Sequence, residues 1–158
     1  MAIQDLYPER YAYCFGCGSR NTHGHHIRTE WDGDETVSTF TPEAWHIAVP
    51  GFVYGGVIAS LVDCHSTGTA AAAMLRSAED SGTVVPGQEM PFRFVTASLQ
   101  VQYLKPTPLG VALTIRGRVR EWKGRKVVVE STVYAEGVAT ARGEVVAVQM
   151  PENFGVES

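Results

Sequence analysis

The stretch from residue 55 to about residue 78 predicts a single long helix that is apolar on most of its sides. Apolar residues recur along it at helical spacing: Val57, Ile58, Leu61, Val62 and Cys64. Such a helix is stable in water only when the rest of the protein wraps around it. Polar residues from position 63 onward interrupt the apolar run, so the helix is not expected to span a membrane.

The chain after this helix predicts strands. Four segments rich in valine, threonine and aromatic residues are separated by turns that contain glycine or proline. They cover residues 94–104, 111–122, 126–135 and 138–149. Two shorter strands, 27–31 and 36–40, flank an Asp-Gly-Asp turn before the helix. One helix combined with a long antiparallel meander predicts an α+β domain in which the sheet wraps around the helix.

Length and composition predict one domain. The chain has 158 residues, of which 44% are hydrophobic and 19% are charged, which is enough for one core. We expect a single domain over residues 1–158, in which residues 1–25 form an irregular covering segment. A helix that is apolar on two sides leaves surface that one sheet cannot cover, so a homodimer or homotetramer is expected. The N-terminal sequence shows no secretory signal, which favours a cytoplasmic location.

Gly55, Gly56 and Asp63 are the first candidates for a functional site. The backbone N–H groups at a helix start lack intrahelical acceptors and can stabilise a developing negative charge, while glycine lets a substrate approach the backbone. Asp63 lies two turns inside the helix among apolar neighbours, where a carboxylate is costly unless it is paired or used. The alternatives are close packing for the two glycines and a bond to Thr67, one turn on, for Asp63.

The three cysteines suggest a metal site only by spacing. Cys14, Cys17 and Cys64 form an odd set without a secretory signal, which favours reduced thiols over disulfides. Cys14 and Cys17, followed by His23 and His25, have the spacing of a zinc ligand set. The chain has no second Cys-x-x-Cys pair, and the two histidines lie in a glycine-rich stretch. We therefore expect no bound metal.

Three motifs follow one another along nearly the whole chain. The first is Cys14-Phe-Gly-Cys-Gly, the second is Val53-Tyr-Gly-Gly-Val-Ile-Ala-Ser-Leu-Val-Asp63, and the third runs from Ala97-Ser-Leu-Gln to Pro-Leu-Gly110. Together they resemble the hotdog-fold acyl-CoA thioesterases, in particular the phenylacetate-pathway (PaaI-like) type. The resemblance implies a hotdog fold, in which an antiparallel sheet wraps around one long central helix. It also implies hydrolysis of an acyl-CoA to a free acid and CoA, without a metal or another cofactor.

The same resemblance implies roles for individual residues. Asp63 corresponds to the catalytic carboxylate, acting as general base or as nucleophile. The backbone N–H of Gly55 or Gly56 polarises the thioester carbonyl, Thr96 supplies a hydroxyl that positions water, and active sites lie across a dimer interface.

The chain departs from the family pattern in two places. Upstream of the helix, where relatives often carry a polar amide, His46 is the nearest polar residue. The second departure is Tyr54, which stands where a histidine is usual. This departure supports the alternative function, a non-catalytic hotdog module that binds an acyl-CoA or an aromatic ligand.

The remaining candidates are substrate contacts. His46 lies in the loop before the helix, and Tyr54 immediately precedes it, so both are candidates to touch the acyl group. His65 is expected to pack in the core or in an interface, and it could also contact substrate across a dimer. Three basic residues at a predicted strand turn are candidates for the CoA phosphates: Lys123, Arg125 and Lys126. Neither a nucleic acid nor a membrane is expected as a partner.

Overall fold

The computed structural model of the protein describes residues 1–151 and residue 154. Two short 3-10 helices, Ile3–Leu6 and Glu9–Tyr11, come first. The other elements in chain order are β1 (Glu30–Asp32), β2 (Glu35–Phe40), α1 (Gly55–Asp80), β3 (Phe94–Tyr103), β4 (Leu113–Lys123), β5 (Lys126–Ala135) and β6 (Val138–Gln149). All the predicted elements are present. Strand β1 is shorter than predicted because the backbone before it bonds to the N-terminal segment, as in Ile27 N–H to Gly16 O.

The six strands form one antiparallel sheet in the order β1-β2-β4-β5-β6-β3. The long strands β4, β5 and β6 are joined by tight turns at Gly124 and Gly137, whose φ angles of 60° and 78° favour glycine. Strand β3, which follows the helix in the chain, forms one edge of the sheet. One long helix packed against a six-stranded antiparallel sheet confirms the predicted α+β hotdog fold.

One face of α1 packs on the centre of the sheet. Leu61 and Val62 are completely buried there. Ser66 Oγ lies 2.8 Å from Ser131 Oγ of β5. At Gly143 of β6 the helix and the sheet approach so closely that a Cβ atom would lie 2.3 Å from Val62 Cγ1. The apolar surface removed from water along this contact is a main source of stability for the fold.

The N-terminal segment covers another face of α1. Ile3 N–H donates to the Thr29 carbonyl at 2.9 Å, which ties the first residues to the chain just before β1. Cys17 of this segment and Ile27 just after it are buried. The helix is therefore enclosed from two sides, which explains why its sequence is apolar on most of its circumference. In residues 1–151 no helix combines the length and the hydropathy that a membrane span requires.

Candidate active site

Asp63 and Thr96 meet beside the edge strand β3. The Thr96 hydroxyl donates a hydrogen bond to Oδ1 of Asp63. Asp63 is half-buried and Thr96 is exposed, so the carboxylate is not enclosed among apolar neighbours as the sequence suggested. The hydroxyl of Thr67, the alternative partner, donates instead to the backbone carbonyls of Asp63 and Cys64, at 3.3 and 3.2 Å. The carboxylate is therefore accessible and is oriented by the Thr96 hydroxyl.

The start of α1 is an open group of hydrogen-bond donors. Tyr54 is the N-cap residue, with φ −60° and ψ 132°, and its side chain makes no capping hydrogen bond. The first helical turn carries no acidic side chain. Within the described residues, the N–H groups of Gly55 and Gly56 have no acceptor. These N–H groups and the positive end of the helix dipole can therefore bind an anionic oxygen.

Two tyrosines flank these N–H groups. The Tyr103 hydroxyl donates to the Gly55 carbonyl at 2.6 Å. A Cβ atom at Gly56 would lie 2.4 Å from the ring of Tyr54, so this ring covers Gly56 closely. Burial, together with the neighbouring Tyr54, raises the pKa of Tyr103, which keeps its hydroxyl protonated. Tyr103 is 53% exposed. Aromatic residues in strands usually lie in the core, so the sequence did not predict that Tyr103 contacts the helix start.

An apolar groove of about 520 Å³ opens beside Gly55. Its walls come from the loop before α1, the first helical turn and the end of β3, and they include Phe52, Ile58 and Tyr103. The exposed side chain of Lys105 stands at its rim. The groove offers an extended apolar ligand a surface that ends at the unpaired N–H groups.

The candidate base and the candidate oxyanion donors are far apart within one chain. Asp63 follows Gly55 by eight residues on the same straight helix, which corresponds to about 12 Å along its axis. A water activated by the carboxylate and a carbonyl oxygen bound by the glycine N–H must both lie within about 3 Å of their protein groups. Asp63 and Gly55 of one chain therefore cannot act on the same carbonyl group.

His46 lies behind the helix start, in a cluster of rings. Its Nδ1 accepts a hydrogen bond from the Glu43 N–H at 2.8 Å, and its ring centroid is 5.5 Å from those of His25 and Phe40. His25 in turn bonds to Ser60 Oγ of the helix at 3.0 Å. Burial, with a contribution from His46, lowers the pKa of His25, so this ring is neutral at pH 7. The sequence did not indicate that these two histidines are neighbours.

The structure corrects the prediction that His65 contacts substrate. The side chain is completely buried between the helix and the sheet. Its Nδ1 lies 2.6 Å from Ser38 Oγ and its Nε2 lies 3.1 Å from Thr36 Oγ1. Burial lowers its pKa to about 3, so it is neutral at pH 7. It is a packed core histidine, the simpler of the two interpretations of the sequence.

The basic turn between β4 and β5 is exposed and contains Lys123, Arg125 and Lys126. Strand β6 pairs with both β5 and β3, and the register of these pairs brings Lys126 to the same end of the sheet as Thr96, two strands away. Neighbouring strands are about 4.8 Å apart, so this separation across the sheet is about 10 Å. The turn is therefore near Asp63 without touching it.

The structure brings together a different set of possible metal ligands from the one that sequence spacing suggested. His23 is exposed and His25 bonds to the helix. The third member of the cluster is Cys64 of α1, and the Sγ atoms of Cys14, Cys17 and Cys64 all lie within 4.8 Å of one another. Among the described residues these three thiols are the side chains placed to hold a metal ion.

Comparison with known proteins identifies the family. The family model of the thioesterase superfamily matches residues 50–142. Acyl-coenzyme A thioesterase THEM4 of Mus musculus is 33% identical over 112 residues, which are 66% of this chain and 41% of that protein. The chain thus spans about two fifths of the length of this curated relative.

Solved structures give the same result over more of the chain. A thioesterase superfamily protein from Shewanella loihica PV-4 is 44% identical, with a TM-score of 0.65 over 84% of this chain and 98% of its own. The PaaI protein of the E. coli phenylacetic acid degradation operon is 16% identical, with a TM-score of 0.62 over 80% of this chain and 81% of its own, and it shows the shared fold. The chain belongs to the thioesterase superfamily.

Proposed function

We propose that this protein hydrolyses an acyl-CoA thioester to a free acid and CoA. The observation that carries the proposal is the accessible Asp63 carboxylate, oriented by Thr96, in a fold whose helix start presents unpaired glycine N–H groups. The mouse relative is named an acyl-coenzyme A thioesterase, which supports the same substrate class.

The chemistry needs a nucleophile and a stabilised oxyanion. In one route Asp63 takes a proton from a water molecule, whose oxygen attacks the thioester carbonyl, and the N–H of Gly55 or Gly56 binds the resulting oxyanion. Collapse of this intermediate breaks the carbon–sulfur bond, and the proton held by Asp63 passes to the departing sulfur, so CoA leaves as the thiol. In the other route the carboxylate attacks the carbonyl carbon and expels the CoA thiolate, which takes a proton from water, and another water molecule hydrolyses the resulting anhydride to the free acid and the Asp63 carboxylate. Thr96 holds the carboxylate oxygen in either route.

The complete site requires two chains. Asp63 and Gly55 of one protomer are about 12 Å apart along the helix, so we propose that Asp63 of one protomer faces the helix start of another. Strand β3 is the edge beside Asp63, and the backbone groups on its outer side are open to pairing with a second chain. Leu99 and Tyr103 on this strand are 38% and 53% exposed, which suits burial in an interface. A homodimer, or a homotetramer built from such dimers, meets these requirements.

The substrate contacts follow from the position of the site. The apolar groove beside Gly55 suits the acyl chain or the arm that carries it. Tyr54 and His46 belong to the segment before α1, which supplies one wall of this groove, and are candidates to contact the acyl group. The basic turn at the same end of the sheet as Thr96 suits the CoA phosphates, as ion pairs with Lys123, Arg125 and Lys126. His65 has no part in this binding because it is enclosed in the core.

The position of the Tyr54 ring favours a second candidate function. Its ring lies against Gly56, close to the N–H groups that would bind the oxyanion. A ring that stays in this position upon binding would cover part of the donor group and leave a module that binds an acyl-CoA or an aromatic ligand without cleaving it. The hydrolase releases CoA as a free thiol, whereas the binding module does not.

The test is thiol release from a panel of acetyl-, hexanoyl-, palmitoyl-, phenylacetyl- and hydroxybenzoyl-CoA. We expect release from at least one substrate, and a turnover rate roughly 100- to 10,000-fold lower in Asp63→Asn, the usual contribution of a positioned base. Circular dichroism and the melting temperature show whether the variant is folded. Binding without release across the panel would favour the second candidate, and full turnover by a folded Asp63→Asn would remove Asp63 from the mechanism.

A further inference from the structure

Three thiols converge where the N-terminal segment meets α1. Cys14 Sγ lies 3.7 Å from Cys64 Sγ, and Cys17 Sγ lies within 4.8 Å of both. The loop that carries Cys14 and Cys17 approaches the helix so closely that a Cβ atom at Gly16 would lie 2.0 Å from Cys64 Sγ. Only glycine at position 16 allows the three sulfur atoms to come together in this way.

The cluster faces a positive charge. The guanidinium of Arg93 stacks over the Tyr7 ring, 4.3 Å from its centroid, and Nη2 lies 3.5 Å from Cys17 Sγ. Arg93 takes part in none of the ion pairs found among the described residues. A partly buried guanidinium requires a compensating anion, and the group in contact with it is the thiol cluster.

A buried tyrosine lies against the guanidinium that faces the cluster. The Tyr7 hydroxyl is the buried side-chain oxygen that lacks a hydrogen-bond partner within the described residues. A buried polar group without a partner indicates that a ligand completes the site.

We propose that Cys14, Cys17 and Cys64 bind one zinc ion as thiolates and thereby fasten the N-terminal segment to α1. Tetrahedral zinc with bonds of about 2.3 Å to sulfur places two sulfur atoms about 3.8 Å apart, close to the observed separation of Cys14 and Cys64. Zinc with three thiolates carries one negative charge, which the Arg93 guanidinium neutralises. A water molecule can take the fourth position of the tetrahedron.

A disulfide explains these observations less well. It joins two sulfur atoms at about 2.05 Å and leaves the third thiol without a function. It also removes the negative charge, so Arg93 would face a neutral cluster. The zinc site is independent of the proposed hydrolysis, because its role is to hold the covering segment against the helix that carries Asp63.

The test measures metal content and stability. The full chain is reduced, incubated anaerobically with zinc, desalted and analysed by mass spectrometry of the metal. We expect one zinc per chain, and less than about a tenth of this in Cys14→Ser or Cys64→Ala. The matched control is His23→Ala, which changes the exposed histidine that spacing alone suggested as a ligand and should retain the full zinc content. Cobalt in place of zinc should show a thiolate charge-transfer band.

A second measurement uses the unmodified protein and therefore does not depend on whether the cysteine variants fold. In the unmodified protein a chelator should lower the melting temperature, and added zinc should restore it, because metal binding stabilises only the folded state. Loss of zinc from His23→Ala with retention in Cys64→Ala would overturn the ligand set. A reduced, folded protein that binds no zinc would overturn the proposal, as would a metal-free protein that shows one free thiol and one disulfide after unfolding without reductant.

Discussion

The hydrogen bond from Thr96 to Asp63 determines where the candidate catalytic carboxylate points. Asp63 is fixed to the helix and Thr96 to the edge strand, so the bond joins the two elements at the opening of the site. Both residues are predicted from the sequence, Asp63 from its place in the helix and Thr96 from the family resemblance. Their contact could not be predicted because it depends on how the helix lies across the sheet.

Substitution of Thr96 tests the role of its hydroxyl. Thr96→Val keeps the shape of the side chain and removes the donor, so we expect turnover to fall by about 10- to 100-fold, the value of one hydrogen bond to a charged group. Thr96→Ser keeps the hydroxyl and is the matched control, with turnover close to that of the unmodified protein. Steady-state kinetics on the best CoA thioester provide the measurement. Equal activity of the valine and serine variants would contradict the role.

His65 makes stability depend on pH. Burial lowers its pKa to about 3, against 6.5 in the unfolded chain, so between these values the unfolded chain binds a proton that the folded protein does not. The free energy of unfolding therefore falls as the pH falls below about 6.5, and this histidine should cost about 2 kcal/mol between pH 7 and pH 5. Urea unfolding at pH 7 and at pH 5 measures the loss of unfolding free energy. We expect this loss to be about 2 kcal/mol smaller in His65→Gln than in the unmodified protein.

The control for this experiment is His23→Gln, which replaces an exposed histidine. It should keep the full loss of stability between pH 7 and pH 5. The quantity compared is the change with pH, so an overall loss of stability in His65→Gln does not affect the result. An identical pH dependence in all three proteins would show that His65 does not titrate on unfolding.

At the scale of elements, the start of α1 carries the second half of the candidate site. Its N-cap is Tyr54, which forms no side-chain cap, and the first turn holds no acid that would compete with an anionic ligand. Most helices use a small polar residue at this position. The absence of a side-chain cap leaves the glycine N–H groups for a ligand, and Tyr103 fixes the same turn through the Gly55 carbonyl.

Proline at position 55 removes one of these N–H groups with little effect on the helix. Gly55 is the first residue of α1, where proline is well tolerated, and Tyr54 before it has the extended backbone that proline requires. If the Gly55 N–H binds the oxyanion, Gly55→Pro should lower turnover by about 100- to 1,000-fold. Gly55→Ala adds a similar Cβ atom beside Tyr103 and retains the N–H, so its loss should be much smaller. Equal losses of turnover in the two variants would show that the Gly55 N–H does not bind the oxyanion.

At the scale of the whole molecule, the proposed mechanism divides each site between two chains. The helix length between Gly55 and Asp63 separates the candidate base from the candidate oxyanion donors, and the open edge of β3 gives a second chain a place to pair. The expected oligomer is therefore a requirement of the chemistry as well as a means of burying apolar surface.

Mixed dimers test this arrangement. Asp63→Asn and Gly55→Pro are each expected to be nearly inactive alone. A dimer that contains one chain of each kind has one site with both defects and one intact site, so a co-expressed statistical mixture should recover about a quarter of the original activity. Thiol release by the purified mixture provides the measurement. If the subunits are shown to exchange and the mixture still recovers no activity, Asp63 and the Gly55 N–H act within the same chain.

The sequence by itself determined the elements and their order. The apolar helix, the valine-rich strands and the glycine turns follow from local periodicity and turn chemistry, which do not depend on distant residues. Only the tertiary structure decided which side chains meet: it enclosed His65 in the core, left Asp63 accessible beside Thr96, placed Tyr103 at the helix start, and brought Cys64 to Cys14 and Cys17. These contacts join residues from 27 to 50 positions apart in the chain. They depend on how the helix crosses the sheet and on the path of the N-terminal segment over the helix, and neither is encoded in local spacing.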